Sequence, residues 1–140
     1  MSKQLYRKLT DDARSGVEKL LGELENAVMD ILWAQGEATV REVLDELNLT
    51  RSLAYTTVLT VMSRLVDKGL LLQNKTGRAH LYRPAMSREA YAAQSAGQII
   101  RSLVEEFGDI ALAQFSQELA GLDPDRLAAL KALGESYSDE

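Results

Sequence analysis

The 140-residue chain predicts a mainly α fold carrying one small β-hairpin, on three observations. Apolar residues recur at the helical period through most of its length. One stretch, residues 70–83, breaks that period, turns at Gly77 and ends before Pro84, the pattern of two short strands. The helical segment just before it sets threonines opposite its apolar stripe, where surface helices ordinarily carry Glu and Lys. Hydrophobic residues make up 46% of the chain and charged residues 26%, an ordinary globular balance. No apolar run approaches the ~18 residues of a membrane span, and the N-terminus lacks the apolar region of a secretory signal. Cysteine is absent, which excludes disulfides and thiolate metal or redox sites and fits a reducing cytosol. The chain is therefore read as cytoplasmic, with no cofactor and no metal.

Residues 1–20 are polar, with Lys3, Arg7 and Lys8 ahead of Asp11 and Asp12. They read as an N-terminal extension, partly disordered, which is either a frayed terminus or a basic arm. A first helix begins near Gly22 and Glu23. Leu24, Ala27, Val28, Ile31 and Leu32 form its stripe, and Trp33 closes it as a core anchor before Gly36. Thr39 and Glu42 form a capping box that starts a second helix through Val40, Val43, Leu44 and Leu47. Asn48 to Arg51 make a short turn into a third helix, with Ser52 as its expected N-cap and Gly69 as its stop. That helix has an apolar stripe of Ala54, Val58, Val61, Met62 and Leu65. Opposite lie Thr56, Thr57, Thr60, Ser63, Arg64 and Asp67.

Threonine is a mediocre helix former, so stability does not explain three of them on one outer face. Hydroxyls bond phosphate oxygens and base edges, and a threonine methyl packs on a thymine methyl. The alternative is that the hydroxyls bond back to carbonyls of their own helix. The next residues favour the first reading. Leu70 to Asn74 read as a strand, Lys75-Thr76-Gly77 as a turn, and Arg78 to Arg83 as the returning strand. A helix followed directly by a basic-tipped hairpin is the winged variant of helix-turn-helix. Between Thr50 and Arg83 the basic residues Arg51, Arg64, Lys68, Lys75, Arg78 and Arg83 face Asp67 alone. A chain of net charge −5 thus concentrates positive charge on one helix and one hairpin. Arg51, Thr56, Thr57 and Thr60 are the candidate base readers. Arg41, Arg64, Lys68, Lys75 and Arg78 are the candidate phosphate contacts.

After Pro84 the excess charge is negative. Ser87 can cap a long helix with Ala93, Ala96, Gly97, Ile100, Leu103, Val104 and Phe107 at a/d-like spacing. Gly108 breaks it, and a second helix follows with Leu112, Phe115 and Leu119. Gly121 stops that one, and Asp123-Pro124 opens a third with Leu127 and Leu130. Three short helices make too small a core to stand alone, so these stripes are expected to bury against a second copy in a two-fold dimer, the alternative being an intramolecular helical cap on the winged helix. Ala93, Gly97, Ile100, Leu103, Val104, Phe107, Leu112, Phe115, Leu119, Leu127 and Leu130 are the candidate dimer contacts. The expected organisation is an extension over 1–20, a winged helix over 21–84, a helical dimerisation domain over 85–136 and a disordered tail, 137–140.

The segments Leu24 to Trp33, Thr39 to Val43, Leu53 to Leu65, Lys68 to Leu70 and Gly77 to Pro84 together resemble the BlaI/MecI-type family of penicillinase and methicillin-resistance repressors. The resemblance covers roughly residues 21–86. It implies an N-terminal winged helix and a C-terminal dimerisation domain, acting as a repressor on inverted-repeat operators. It further implies that Thr57 and Thr60 face DNA and that Arg78 lies in the wing. Repression in the family is relieved by proteolysis linked to a membrane-bound sensor protease, and the matching point is near Gln114 and Phe115. A sibling group of copper-responsive repressors carries a cysteine motif that this chain lacks.

Two other function classes are weaker. A protein-interaction module would need an apolar patch on the third helix, where Thr56, Thr57 and Thr60 stand. An enzyme would need a reactive constellation, and His80 is the single histidine, set in the hairpin. Glu105 and Glu106 are adjacent and point to different helix faces, so they do not pair as acid and base.

Overall fold

A computed structural model describes residues 3–75 and 77–138. The element order is α1 (Lys3–Leu20), α2 (Glu23–Gln35), α3 (Val40–Leu47), α4 (Tyr55–Asp67), β1 (Leu71–Asn74), β2 (Leu81–Pro84), α5 (Arg88–Phe107), α6 (Asp109–Ala120) and α7 (Pro124–Ser138). Arg7–Gln94 form one compact unit. The described residues up to Tyr6, together with those from Ser95 onward, form the other.

The core of the first unit is a single cluster drawn from α1 through β2. Val28, Met29 and Leu32 of α2, Val43 of α3, and Val58, Met62 and Leu65 of α4 have no exposed surface. All but Met29 are residues that the helical spacing set aside as core, and the caps at the start of α3 and the end of α4 follow the sequence as well. The Thr39 hydroxyl accepts the Glu42 N–H at 3.1 Å, and the Glu42 carboxylate accepts the Thr39 N–H at 3.0 Å, so two orphan donors of α3 are satisfied reciprocally. At the far end of α4, Gly69 adopts φ +80°. Its N–H reaches the Val66 carbonyl at 3.0 Å, and the Leu70 N–H reaches that of Leu65 at 2.9 Å, the paired bonds of a Schellman stop. That turn leads directly into β1.

Strands β1 and β2 pair antiparallel, with Leu71 opposite Pro84 and Asn74 opposite Leu81. The returning strand begins at Leu81 rather than Arg78, so Arg78, Ala79 and His80 belong to the loop. Thr76 of the expected turn lies outside the described residues. Ala38 adds a third contact that the sequence pattern does not disclose. It bridges Tyr82 through bonds of 3.0 and 2.9 Å and ties the α2–α3 connection to the hairpin.

Four expectations are corrected. Residues 3–20 are helical rather than frayed, and Ala13 and Val17 of α1 are buried, Val17 completely. The extension therefore packs on the core, because Ala13, Val17 and Leu21 fall at i, i+4 and i+8 on one face. The third helix starts at Tyr55, with Ala54 as its N-cap and no side-chain capping bond, so Ser52 does not cap it. Ala54 is consequently exposed and leaves the apolar stripe. Finally, α7 continues to Ser138 through the expected tail, of which Asp139 and Glu140 lie outside the described residues. Trp33 is half-buried against the core and is fixed from the hairpin exit. Its indole N–H donates to the Met86 carbonyl at 3.0 Å, and the Arg88 guanidinium lies 4.8 Å from its ring.

The heads of α5 and α7 are built as their caps predict. The Ser87 hydroxyl accepts the Ala90 N–H at 3.1 Å at the head of α5, and Asp123 Oδ1 accepts the Asp125 N–H at 2.8 Å at the head of α7.

Candidate nucleic-acid interface

The turn before α4 is shaped by one side chain. Asn48 Oδ1 accepts the Leu53 N–H at 2.8 Å, and Asn48 Nδ2 donates to the Leu53 carbonyl at 3.0 Å. This mimic of strand pairing closes residues 48–53 into a loop and moves the helix start past Ser52. With α4 fixed so, burial of Val58, Val61, Met62 and Leu65 on one side leaves Thr56, Thr57, Thr60, Ser63 and Arg64 exposed on the other. The Thr60 hydroxyl donates to the Thr56 carbonyl at 2.8 Å, which is the back-bond weighed above. That bond uses the hydroxyl proton and leaves its lone pairs and methyl outward.

The candidate cations fall into two groups. Arg41, at the start of α3, lies over the exposed ring of Tyr55 at 5.5 Å, a cation–π contact joining the first turns of α3 and α4. Tyr55 is a further candidate contact that the sequence reading passed over, and its only signal is an aromatic at the first helical position. Lys75 and Arg78 stand exposed in the hairpin loop on either side of Gly77, whose φ of +75° suits glycine. Arg51 and Lys68 are instead paired. Arg51 Nη1 donates to Glu23 Oε2 at 3.1 Å while Nη2 donates to Oε1, and Lys68 Nζ donates to Glu25 Oε2 at 2.8 Å.

These partners set the local titration. Hydrogen bonding to Arg51 holds the Glu23 carboxyl below its ordinary value. For Glu25, burial pushes the carboxyl up. The Lys68 hydrogen bond, the Gly22 N–H and the charges of Lys68 and Arg64 outweigh it, and the net direction is down. A carboxyl whose folded pKa is depressed contributes stability that is present above its unfolded value, 4.5, and is lost as pH falls through the folded one. Melting temperature should therefore decline on acidification below that value, and Glu25→Gln should flatten part of the decline. An unchanged acid slope in that variant would remove Glu25 as a contributor.

The candidate dimer residues divide by exposure. Ile100, Leu103, Phe107, Leu112 and Leu119 are exposed, whereas Ala93, Gly97, Val104, Phe115, Leu127 and Leu130 are half-buried. Neither α5 nor α6 contains a buried residue. Gln114 and Phe115 sit within α6, with Gln114 exposed.

The model of the penicillinase repressor family matches residues 21–136. The chain belongs to that family. It is 42% identical over 120 residues to the transcriptional regulator BlaI of Mycobacterium tuberculosis, covering 82% of this chain and 83% of that protein. It is 31% identical over 71 residues to the penicillinase repressor of Bacillus licheniformis, covering 51% of this chain and 56% of the relative. A solution structure of the Bacillus licheniformis BlaI monomer in complex with the blaP half-operator aligns with a TM-score of 0.43 and 31% identity, over 48% of this chain and 82% of that one. The penicillinase repressor family is one of transcriptional regulators rather than enzymes. Its match begins at residue 21, so α1 precedes the family's shared part. Among the described residues no helix is long and apolar enough to cross a membrane.

Proposed function

We propose that this penicillinase repressor family member is a sequence-specific DNA-binding repressor that acts as a homodimer on inverted-repeat duplex sites. The observation that carries the reading is α4, which buries its aliphatic stripe and turns a threonine and serine face outward. Thr56, Thr57 and Thr60 read base edges from the major groove. Arg41, Arg64, Lys75 and Arg78 hold the flanking phosphates, and the hairpin is the wing. Two α4 helices related by a two-fold axis match two half-sites, and the exposed apolar residues of α5 and α6 supply that axis. The regulatory roles named for the relatives support the reading.

Cutting between Gln114 and Phe115 would divide α6 and release the paired half-sites, and the occupant of the protease role is a membrane sensor or an enzyme downstream of it. The bond lies in a helix, so α6 must open locally before a protease can take it in extended form.

The repressor reading is tested by gel shift on the gene's own upstream DNA across a salt series. Tight binding with a two-fold footprint is expected. Thr57→Ala and Thr60→Ala should each weaken specific binding by about tenfold or more while leaving random-sequence binding nearly unchanged. Sequence-blind binding that survives both substitutions would overturn the base-reading role.

A further inference from the structure

Two of the cations nearest α4 are occupied by carboxylates from one place, the first turn of α2. We propose that Glu23 and Glu25 act as an electrostatic brake, holding Arg51 and Lys68 off phosphate so that the free protein binds arbitrary duplex DNA weakly. The inference rests on the DNA-binding reading above and adds the residues that set its sequence-independent affinity.

The geometry is competitive. A guanidinium fork fits a carboxylate and a phosphate equally well, so a fork already closed on one is withheld from the other. Arg51 gives both terminal nitrogens to the two oxygens of Glu23, which closes the end-on fork. Lys68 is held differently. Glu25 uses Oε1 to accept the Gly22 N–H at 3.1 Å and Oε2 to accept Lys68 at 2.8 Å, so the carboxylate is anchored to the backbone and does not follow Lys68. Glu25 is also largely covered, at 16% side-chain exposure, whereas Glu23 is 74% exposed. The Glu23 carboxylate is exposed, so its pair with Arg51 contributes little to stability, whereas Glu25 adds a share from a covered position. Stability alone therefore gives little reason for both carboxylates to face cations here. Their position against the DNA-facing cations supplies a functional one.

Counterions make the brake measurable. A cation that meets a phosphate displaces a condensed counterion. A cation that stays on a carboxylate in the complex displaces none, so the salt slope lacks its contribution. Removing the carboxylate charge restores the full release.

The test uses the full chain and a random-sequence duplex of about 30 base pairs, by fluorescence anisotropy over a potassium chloride series. Glu23→Gln, Glu25→Gln and the double variant are compared with the parent protein. Glutamine keeps an amide oxygen for the Gly22 N–H, so the cap survives. Each substitution should steepen the salt slope by about one unit and tighten binding by about tenfold near 0.1 M salt. A charge-matched control, Glu105→Gln with Glu106→Gln on α5, should leave slope and affinity close to the parent. Thermal melts of every variant verify folding.

A double variant with the parent's slope and affinity would overturn the brake, as would an equal gain in the α5 control. Weaker binding by the double variant would also overturn it, since the carboxylates would then be aiming the cations at DNA. No binding by the parent or any variant at about 50 mM salt would instead remove the DNA-binding reading itself, and the inference with it.

Discussion

Replacing Val17 with Asp should lower the stability of Arg7–Gln94 by more than about 3 kcal/mol, a fall in melting temperature of about 15 °C. Val17 has no exposed surface, and it joins Leu21 in the cluster that holds the α2, α3 and α4 stripes. A carboxylate there has no water to solvate it, and none of the residues of that cluster is charged. Val17→Ala removes two methyl groups and should cost about 2 kcal/mol through lost transfer energy and an unfilled cavity. Arg14→Ala on the exposed side of α1 should stay within about 0.5 kcal/mol of the parent. Denaturant unfolding followed by circular dichroism checks all three. An extension that merely frays would give three indistinguishable curves. The consequence reaches function, because α4 presents its threonines only while the core behind it is packed.

That extension is also the place where the sequence was least legible. Its buried positions are Ala13 and Val17, a small residue and one valine, set among Arg14, Glu18 and Lys19. So sparse a stripe carries little signal against a charged background, and packing on α2 to α4 decides the matter instead. Where stripes are dense the reading held. Val43 and Leu44, then Met62 and Leu65, repeat at helical spacing and all are buried. Thr39, Gly69, Ser87 and Asp123 marked helix ends through chemistry that is local in sequence, as their bonds at the ends of α3, α4, α5 and α7 bear out. The misplaced start of α4 has the opposite cause. Ser52 is a good capping residue by type, but Asn48 bonds Leu53 across the turn and shifts the helix forward. Local propensity lost to a bond spanning five residues. The exposed threonine face was legible because burial of one side fixes the other. The pairing of Arg51 with Glu23 was not, since those residues lie 28 apart in the chain. No periodicity relates two positions on separate helices.

If the chain pairs as proposed, Leu103→Asp combined with Phe107→Asp should leave it monomeric and weaken binding to a two-fold DNA site by about a hundredfold or more. Neither α5 nor α6 buries its apolar stripe. Phe107 is 57% exposed and Ile110 is 70% exposed, and with Ile99, Ile100 and Leu103 they make more exposed aliphatic and aromatic surface than a free helix ordinarily carries. Area of that kind is covered in stable homodimers, whose interfaces are more apolar than the surrounding surface. Two aspartates would place four carboxylates at a two-fold contact with no cation supplied to pair them, and association should fail. Sedimentation equilibrium reads the mass directly. Affinity for an isolated half-site should stay within a few-fold, because Thr56, Thr57 and Thr60 belong to the other compact unit. The loss on the full site is then the lost effective concentration of the second reading helix. A variant that stays dimeric would place the two-fold contact away from this part of α5. A monomer that still binds the full site as tightly as the parent would show that one copy reads the DNA, and pairing would have no part in repression.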